Sequence, residues 1–365
     1  MKKTPLNDWH RAHGASMVDF GGWDMPVSYG PIGAEHVATR QAAGLFDISH
    51  MGQVLVEGPR ALDFLQYVTT NDVAALSDGR MQYSLLPNEQ GGLWDDIIVT
   101  RLSAQKFYVV VNASNTEPDL AWMQAQARAF GVSVSHLGGQ AMFALQGPKA
   151  ELILQGLMDA SLTPLKYYHL REDKVAGVAA YVSRSGYTGE DGFEISVPVA
   201  EALKVWEALL QAGSALGMKV IGLGARNTLR LEMAYALYGH EIDDKSNAYE
   251  AGLGWVVKPA KGDFVGKAAL VAKKDAPARK LVGFELIDRG VARDGYPVLD
   301  ANGTVVGQVT SGGPSPSLDN KCIGLAYVPA ALAAVGTELG IDVRGRALKA
   351  RVVKPPFVAS HVKKS

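Results

Sequence analysis

The sequence predicts an α+β protein of two or three domains, the last of which is a small β barrel or sandwich. Two observations predict this class. Strand-like and helix-like segments are mixed through the first 275 residues without strict alternation, whereas residues 280–357 consist of short β runs separated by glycine and proline. The length of 365 residues gives room for this number of domains, since domains commonly have about 150 residues.

Periodicity predicts the individual elements of the first part of the chain. Alternating apolar and polar residues predict strands at 52–57, 107–112 and 193–197. Apolar residues with helical spacing predict helices at 60–68, 116–130 and 200–210. The residues expected on the buried faces of these helices are Ala61, Leu65 and Val68; Leu120, Met123 and Ala127; and Leu203, Trp206 and Leu210.

A boundary near residue 275 is the clearest division along the chain. Residues 259–277 carry several lysines and few large apolar side chains, and the strand-like runs 281–286, 304–309 and 350–353 follow them. We therefore expect three parts, which are residues 1–275 with two interleaved α+β units, the second at about 50–140; a C-terminal β-barrel domain at 276–358; and a frayed tail at 359–365.

Charge and composition exclude several classes of function. The 36 basic and 37 acidic side chains leave a net charge of -1, so no overall field steers the chain to nucleic acid or to an anionic membrane. The single cysteine, Cys322, cannot form an intrachain disulfide and is expected to be buried and inert. No histidine pair has metal-ligand spacing, no apolar run reaches the ~20 residues of a membrane span, and no secretory signal is recognisable. We expect a cytoplasmic protein without a metal site.

Two adjacent aspartates, Asp95 and Asp96, follow a glycine-containing turn at 88–92 and lead into an apolar strand. Since neighbouring residues of a strand face opposite sides, one carboxylate can face a cavity while the other ties down the turn. The alternative is that both carboxylates cap the turn. The residues alone leave these two interpretations equally open.

A glycine-rich hairpin at 184–194 ends in Glu194. Phe193, Ile195 and Val197 form the apolar side of the strand, which leaves Glu194 on the opposite face. There its carboxylate can accept a pair of hydrogen bonds from the amide-and-amine edge of a heterocycle. The alternative is an ordinary surface residue on a half-exposed sheet.

Two arginines, Arg226 and Arg230, stand four residues apart at the start of a predicted helix. Like charges at this spacing repel each other, and a cation in the first turn opposes the helix dipole. Arg226 is therefore expected to have an anionic partner. That partner is either a ligand or a carboxylate of the protein in an internal salt bridge.

Seven stretches match, in order, those of a known family: residues 17–23, 44–51, 88–99, 144–148, 186–194, 237–243 and 310–316. Over nearly its whole length the chain resembles the T-protein of the glycine cleavage system, the family of tetrahydrofolate-dependent aminomethyltransferases. This resemblance implies an α+β fold of three domains arranged as a cloverleaf around a central folate channel, with a β-barrel-like last domain.

The resemblance also implies roles for particular residues. Asp96 would be the catalytic carboxylate near folate N5 and N10. Glu194 would accept hydrogen bonds from the pterin edge, and Arg226 would anchor the pterin or an adjacent carboxylate. The other members of the implied folate site are Tyr187, Tyr83, Met51 and Asn112.

The implied reaction transfers the methylene of an aminomethyl group from the dihydrolipoyl arm of the H-protein to tetrahydrofolate. Its products are 5,10-methylenetetrahydrofolate and ammonia, and the other glycine cleavage components are further implied partners. Two alternatives stay open, a folate-dependent demethylase of another methylated donor and a non-catalytic folate-binding module. The chain departs from the family pattern at Asn227, where Asp is usual, and at residues 245–250.

Overall fold

The computed structural model describes residues 1–364 and confirms the α+β class, with a closed six-stranded barrel after a mixed first part. The α-helices are Asn7–Ala12, Ile32–Gln41, Ala61–Val68, Thr116–Ala127, Ala150–Gln155, Ala202–Ser214, Leu223–Glu232 and Lys267–Val271. Within residues 1–364, no helix is long and apolar enough to cross a membrane.

A six-stranded sheet forms the first body of the fold. In spatial order its strands are His169–Val175, Val178–Arg184, Gly192–Pro198, Gln140–Gln146, Gly44–Asp47 and Lys219–Val220. Helices Ala150–Gln155 and Ala202–Ser214 cover one face, where Phe143, Phe193 and Trp206 are fully buried. A small three-stranded sheet of Lys2–Lys3, Trp23–Ser28 and Ser16–Phe20 lies at the start of the chain.

A five-stranded sheet forms the second body, and all its strands lie between residues 52 and 136. In spatial order they are Met81–Pro87, Leu93–Ser103, Lys106–Val111, Gly52–Glu57 and Ser133–His136. Helices Ala61–Val68 and Thr116–Ala127 pack on one face around Phe64, Phe107 and Met123. The other face meets the six-stranded sheet through an apolar cluster that includes Tyr108 and Met142. The site described below lies at this junction.

The barrel closes in the order Arg279–Leu286, Lys321–Pro329, Val305–Ser315, Pro297–Leu299, Glu338–Val343 and Arg346–Val353. Cys322 is buried in its core, as expected. Helix Leu223–Glu232 contacts the barrel strands, and Arg230 donates a hydrogen bond of 2.8 Å to the Ser311 hydroxyl. This helix therefore joins the barrel to the rest of the molecule.

Two expectations about local structure are wrong. Leu203 does not lie on the buried stripe of its helix but is 47% exposed, because Ala202, Val205 and Leu209 face the core together with Trp206. Residues 360 and 361 are not frayed. The Ser360 hydroxyl and the His361 amide both donate to the Gly189 carbonyl, and His361 Nδ1 lies 3.1 Å from the Glu190 carboxylate.

Candidate active site

Asp95 and Asp96 lie on strand Leu93–Ser103 and face opposite sides of the five-stranded sheet. Asp95 is fully buried, whereas Asp96 is half-buried. Asp96 accepts hydrogen bonds from the Tyr83 hydroxyl at 2.9 Å and from Asn112 Nδ2 at 2.7 Å. The alternation of the strand thus separates the two carboxylates.

Among the described residues, neither aspartate side chain is hydrogen-bonded to the preceding turn, so the interpretation that Asp95 ties it down and the alternative that both carboxylates cap it are wrong. Asp95 accepts hydrogen bonds from the Asn112 amide, from Asn112 Nδ2 and from Asn115 Nδ2, each at 2.8 Å. It therefore holds the segment that leads into helix Thr116–Ala127. The turn itself is closed by Asn88, whose side-chain oxygen accepts from the Gly92 amide at 2.8 Å.

The charge of Asp96 is not balanced by a cation. No ion pair of Asp95 or Asp96 occurs within residues 1–364. Burial, and then the charge of Asp95, raise the pKa of Asp96 to about 7, although hydrogen bonds from Tyr83 and Asn112 oppose this. Burial and the Asp96 charge also raise the pKa of the Tyr83 hydroxyl. Asp96 is therefore a carboxyl group whose protonation changes near neutral pH.

Glu194 is positioned by strand Gly192–Pro198, whose apolar residues Phe193, Ile195 and Val197 are fully buried on the other face. One Glu194 oxygen accepts a hydrogen bond of 2.7 Å from the Ser185 hydroxyl. Burial raises the pKa of Glu194, while the Ser185 hydrogen bond and the charge of Arg226 lower it. The carboxylate lines a small cavity and keeps acceptor capacity toward it.

Arg226 forms no internal salt bridge with the residues that the structure describes. Its guanidinium lies 4.7 Å from the centre of the Tyr187 ring, and in the described part of the chain its side chain makes no hydrogen bond or ion pair. Arg230, one turn later, is the arginine that pairs internally, with Glu241 at 2.9 Å. Asn227 accepts a hydrogen bond from Arg230 at 2.8 Å, so this departure from the family pattern supports Arg230.

Aromatic side chains complete the site. Tyr187 stacks on Tyr235 at 5.6 Å and donates a hydrogen bond to the Ala236 carbonyl, while Tyr83 stacks on Trp255 at 5.9 Å. Met51 is partly buried and packs against the apolar cluster between the two sheets. The structure thus brings the residues expected from the sequence to the junction of the two sheets.

Three neighbours of the site were missed from the sequence. Ser185 lies in the same hairpin as Glu194 and donates to its carboxylate, and its place in the glycine-rich segment was a usable signal. Tyr168 is half-buried near Glu194 and Asp96 and has a φ of 59°, a backbone conformation that the sequence does not predict. Trp255 is 61% exposed, and only its stacking on Tyr83 relates it to the site.

Comparisons with known proteins cover both parts of the chain. Residues 6–261 match the GCVT N-terminal domain, and residues 279–359 match the glycine cleavage T-protein C-terminal barrel domain. An aminomethyltransferase of Symbiobacterium thermophilum is 52% identical over 99% of this chain and 98% of its own length. One of Bdellovibrio bacteriovorus is 50% identical over 98% and 99%. The crystal structure of glycine cleavage system aminomethyltransferase T from Bartonella henselae, 37% identical, superposes over 99% of both chains with a TM-score of 0.93.

Matches of this length and identity define a transferase of one-carbon units. The chain belongs to the glycine cleavage T-protein family. The activity implied by the resemblance, aminomethyl transfer with tetrahydrofolate as acceptor, is confirmed by this membership. A demethylase of another donor and a non-catalytic folate-binding module are not favoured, because the relatives carry the name aminomethyltransferase.

Proposed function

We propose that this enzyme takes its aminomethyl group from the dihydrolipoyl arm of a lipoylated H-protein. In the reaction the C–N and C–S bonds of the S–CH2–NH2 group break, and the methylene becomes bonded to N5 and N10 of tetrahydrofolate. The two hydrogens lost from these nitrogens appear on ammonia and on the released thiol, so the atoms balance. We place the enzyme in the cytoplasm with the other glycine cleavage components as partners.

The unpaired groups of the site fit a reduced pterin. A pterin edge presents N–H donors side by side, which match the free acceptor capacity of Glu194. Arg226 offers a guanidinium without a protein acceptor in the described residues. Tyr187, Tyr83 and Met51 provide the apolar and aromatic surface that a flat ring requires. We therefore assign these five residues to folate binding.

The observation that carries the catalytic assignment is the carboxyl group of Asp96, which is half-buried and lacks a cation partner in residues 1–364. Transfer passes through positive charge on the methylene or on the attacking folate nitrogen. A fixed carboxylate in a dry site stabilises such charge without having to reorganise. Asn112 holds this carboxylate at 2.7 Å and thereby fixes its direction toward the substrate.

The test is reconstitution of the reaction with purified protein, tetrahydrofolate and an aminomethyl-loaded lipoyl carrier. We expect ammonia and 5,10-methylenetetrahydrofolate to appear in equal amounts. A carrier without the lipoyl arm serves as the control and should give neither product. Transfer from a methylated amine without release of ammonia, and none from the lipoyl carrier, would contradict the proposed donor.

A further inference from the structure

A third aspartate, Asp119, lies against the two aspartates of the strand. It is in the first turn of helix Thr116–Ala127, which packs on the five-stranded sheet, and it is only 3% exposed. Its carboxyl group lies beside that of Asp95, which is 0% exposed, and the two groups act on each other electrostatically. We call Asp95, Asp96 and Asp119 the sheet cluster. No lysine, arginine or histidine in residues 1–364 pairs with any of them.

Two buried carboxyl groups in contact cannot both be ionised when no cation is near, so one of them holds a proton. The hydrogen bonds indicate which one. Asp95 accepts three N–H groups from Asn112 and Asn115, and these favour its ionised form. Asp119 Oδ2 is buried and receives no N–H or hydroxyl donor from the described residues, as expected of an oxygen that carries the proton itself. The proton therefore belongs to Asp119.

Burial raises the pKa of both groups, but only at Asp95 do hydrogen bonds, from Asp119, Asn112 and Asn115, oppose that rise. Burial, the charge of Asp95 and the hydrogen bond with Asp95 raise the pKa of Asp119 to about 10. The helix dipole favours an ionised group in the first turn, but its effect is weaker than repulsion between two buried carboxylates. Tyr238, which donates to the Leu93 carbonyl at 3.2 Å, also faces the cluster; burial, and then nearby carboxylates beginning with Asp95, raise its pKa. Tyr83 and Tyr238 supply neutral hydroxyls and no positive charge.

We propose that Asp119 is a positioning residue that keeps its proton and donates it in a hydrogen bond to Asp95, so that ionised Asp95 holds Asn112 against Asp96. This bond would extend the pair of hydrogen bonds by which Asn112 Nδ2 joins Asp95, at 2.8 Å, to Asp96, at 2.7 Å. The charge of Asp95 also raises the pKa of Asp96. Asp119 thus sets both the orientation of the reacting carboxylate and the pH at which it ionises. The role in catalysis rests on the function proposed above.

The kinetic test compares two variants. Asp119→Asn keeps a neutral donor toward Asp95, so we expect kcat within about threefold of the unmodified enzyme and an unchanged pH profile. Asp119→Ala leaves Asp95 without that donor, and Asp95 then takes up a proton. We expect kcat to fall about tenfold with little change in the KM for tetrahydrofolate, and the acid limb of kcat to move to lower pH by about one unit. Glu117→Ala, in the same helical turn but exposed, is the matched control and should change neither quantity.

A second measurement, of unfolding, needs neither tetrahydrofolate nor the lipoyl carrier. If Asp119 holds a proton in the folded protein but loses it on unfolding, raising the pH from 4.5 to 8.5 destabilises the unmodified protein relative to Asp119→Asn. The unfolding midpoint of Asp119→Asn should therefore rise relative to that of the unmodified protein as the pH increases. The same comparison should stay flat for Glu207→Gln, an exposed acid on helix Ala202–Ser214. A growing difference with no aminomethyl transfer by the unmodified protein would reject the proposed function but keep the proton on Asp119.

Two results would overturn the proposal. One is a flat difference in the unfolding midpoints, because it would mean that Asp119 is ionised in the folded protein. The other is a folded Asp119→Asn variant that loses kcat tenfold or more, since a neutral donor would then not be what the site requires. If Asp119→Ala does not fold, the Asp119→Asn variant still decides between these outcomes.

Discussion

Two groups of buried carboxylates in this molecule differ in what lies opposite them. The sheet cluster faces asparagines, tyrosines and no cation among the described residues. The barrel cluster is formed by Glu190 and Glu232, the last residue of helix Leu223–Glu232, which contacts the barrel. Nitrogen atoms of Arg40 lie 3.0 Å from the Glu190 carboxylate and 2.8 Å from the Glu232 carboxylate. His36 lies 3.2 Å from Glu232. Both clusters are built from the same kind of side chain, but only one of them has its charge balanced.

The pKa values of Glu232 and Asp96 move in opposite directions. Burial by itself raises the pKa of a carboxyl group. In the barrel cluster the hydrogen bond and charge of His36 outweigh burial, together with the Ser315 hydrogen bond and the charge of Arg40. They lower the pKa of Glu232 to about 2. In the sheet cluster nothing outweighs burial, and Asp96 stays near 7. The paired cluster therefore stabilises the fold, whereas the unpaired cluster retains the charge that a reaction can use.

The largest expected effect comes from removing Glu232 from the barrel cluster. Glu232→Ala leaves buried His36 and half-buried Arg40 without their common partner, although Arg40 keeps Glu190. Breaking this buried network should cost about 3 to 5 kcal/mol of unfolding free energy. Denaturant unfolding measures this loss, and exposed Glu207→Ala is the control. Because the folded pKa of Glu232 is depressed, its contribution is complete above the unfolded value of about 4.3 and should be lost as the pH falls toward 2. A loss below about 1 kcal/mol would contradict the structural role.

The next largest effect concerns Glu194. Its charge is only partly balanced, because Arg226 lowers its pKa but forms no ion pair with it in the described residues. Glu194→Ala leaves the donors of a bound pterin unpaired and should weaken tetrahydrofolate binding by about 2 to 4 kcal/mol. Calorimetric titration measures the change. Glu172→Ala, exposed on strand His169–Val175, should bind as the unmodified protein does. Unchanged affinity in Glu194→Ala would remove this residue from the site.

Removing the charge from the sheet cluster should act on turnover instead of on stability. Asp96→Asn keeps the shape but not the charge, so we expect kcat to fall roughly 10²-fold with a modest change in folate affinity. In the unmodified enzyme, kcat should rise with pH through about 7 as Asp96 ionises. The rate of the variant should lack this limb. Exposed Asp8→Asn is the control, and a larger loss in Asp95→Asn would show that the wrong aspartate has been chosen.

The smallest expected effect concerns the two arginines of helix Leu223–Glu232. Arg226→Ala should weaken folate binding by about 1.5 to 3 kcal/mol and leave the melting temperature without ligand nearly unchanged or slightly raised. Arg230→Ala, which removes the buried partner of Glu241, should lower that melting temperature. A large loss of stability in Arg226→Ala with intact affinity would assign Arg226 to the scaffold.

Local patterns predicted several of the elements and two members of the sheet cluster, Asp95 and Asp96. Helix 60–68 and the strands around 52, 107 and 193 were predicted because their apolar residues repeat with a clear period. Strand alternation also placed Asp95 and Asp96 on opposite faces. The contact between Asp119 and Asp95 was not predictable, since it depends on how helix Thr116–Ala127 packs on the sheet. Glu232 and Arg40 are 192 residues apart in the chain, so no local sequence pattern predicts their ion pair.

The contact between residues 360–361 and the loop at 189–190 has a consequence for the order in which the protein is made. Translation delivers the loop that carries Tyr187 well before the residues that bind it. Domains synthesised first also fold first. The Phe357 amide, which donates to the Glu232 carbonyl at 2.8 Å, arrives equally late. On the ribosome both sheets can form early, but the loop beside the folate site gains its last hydrogen bonds only after residue 361 has left the exit tunnel.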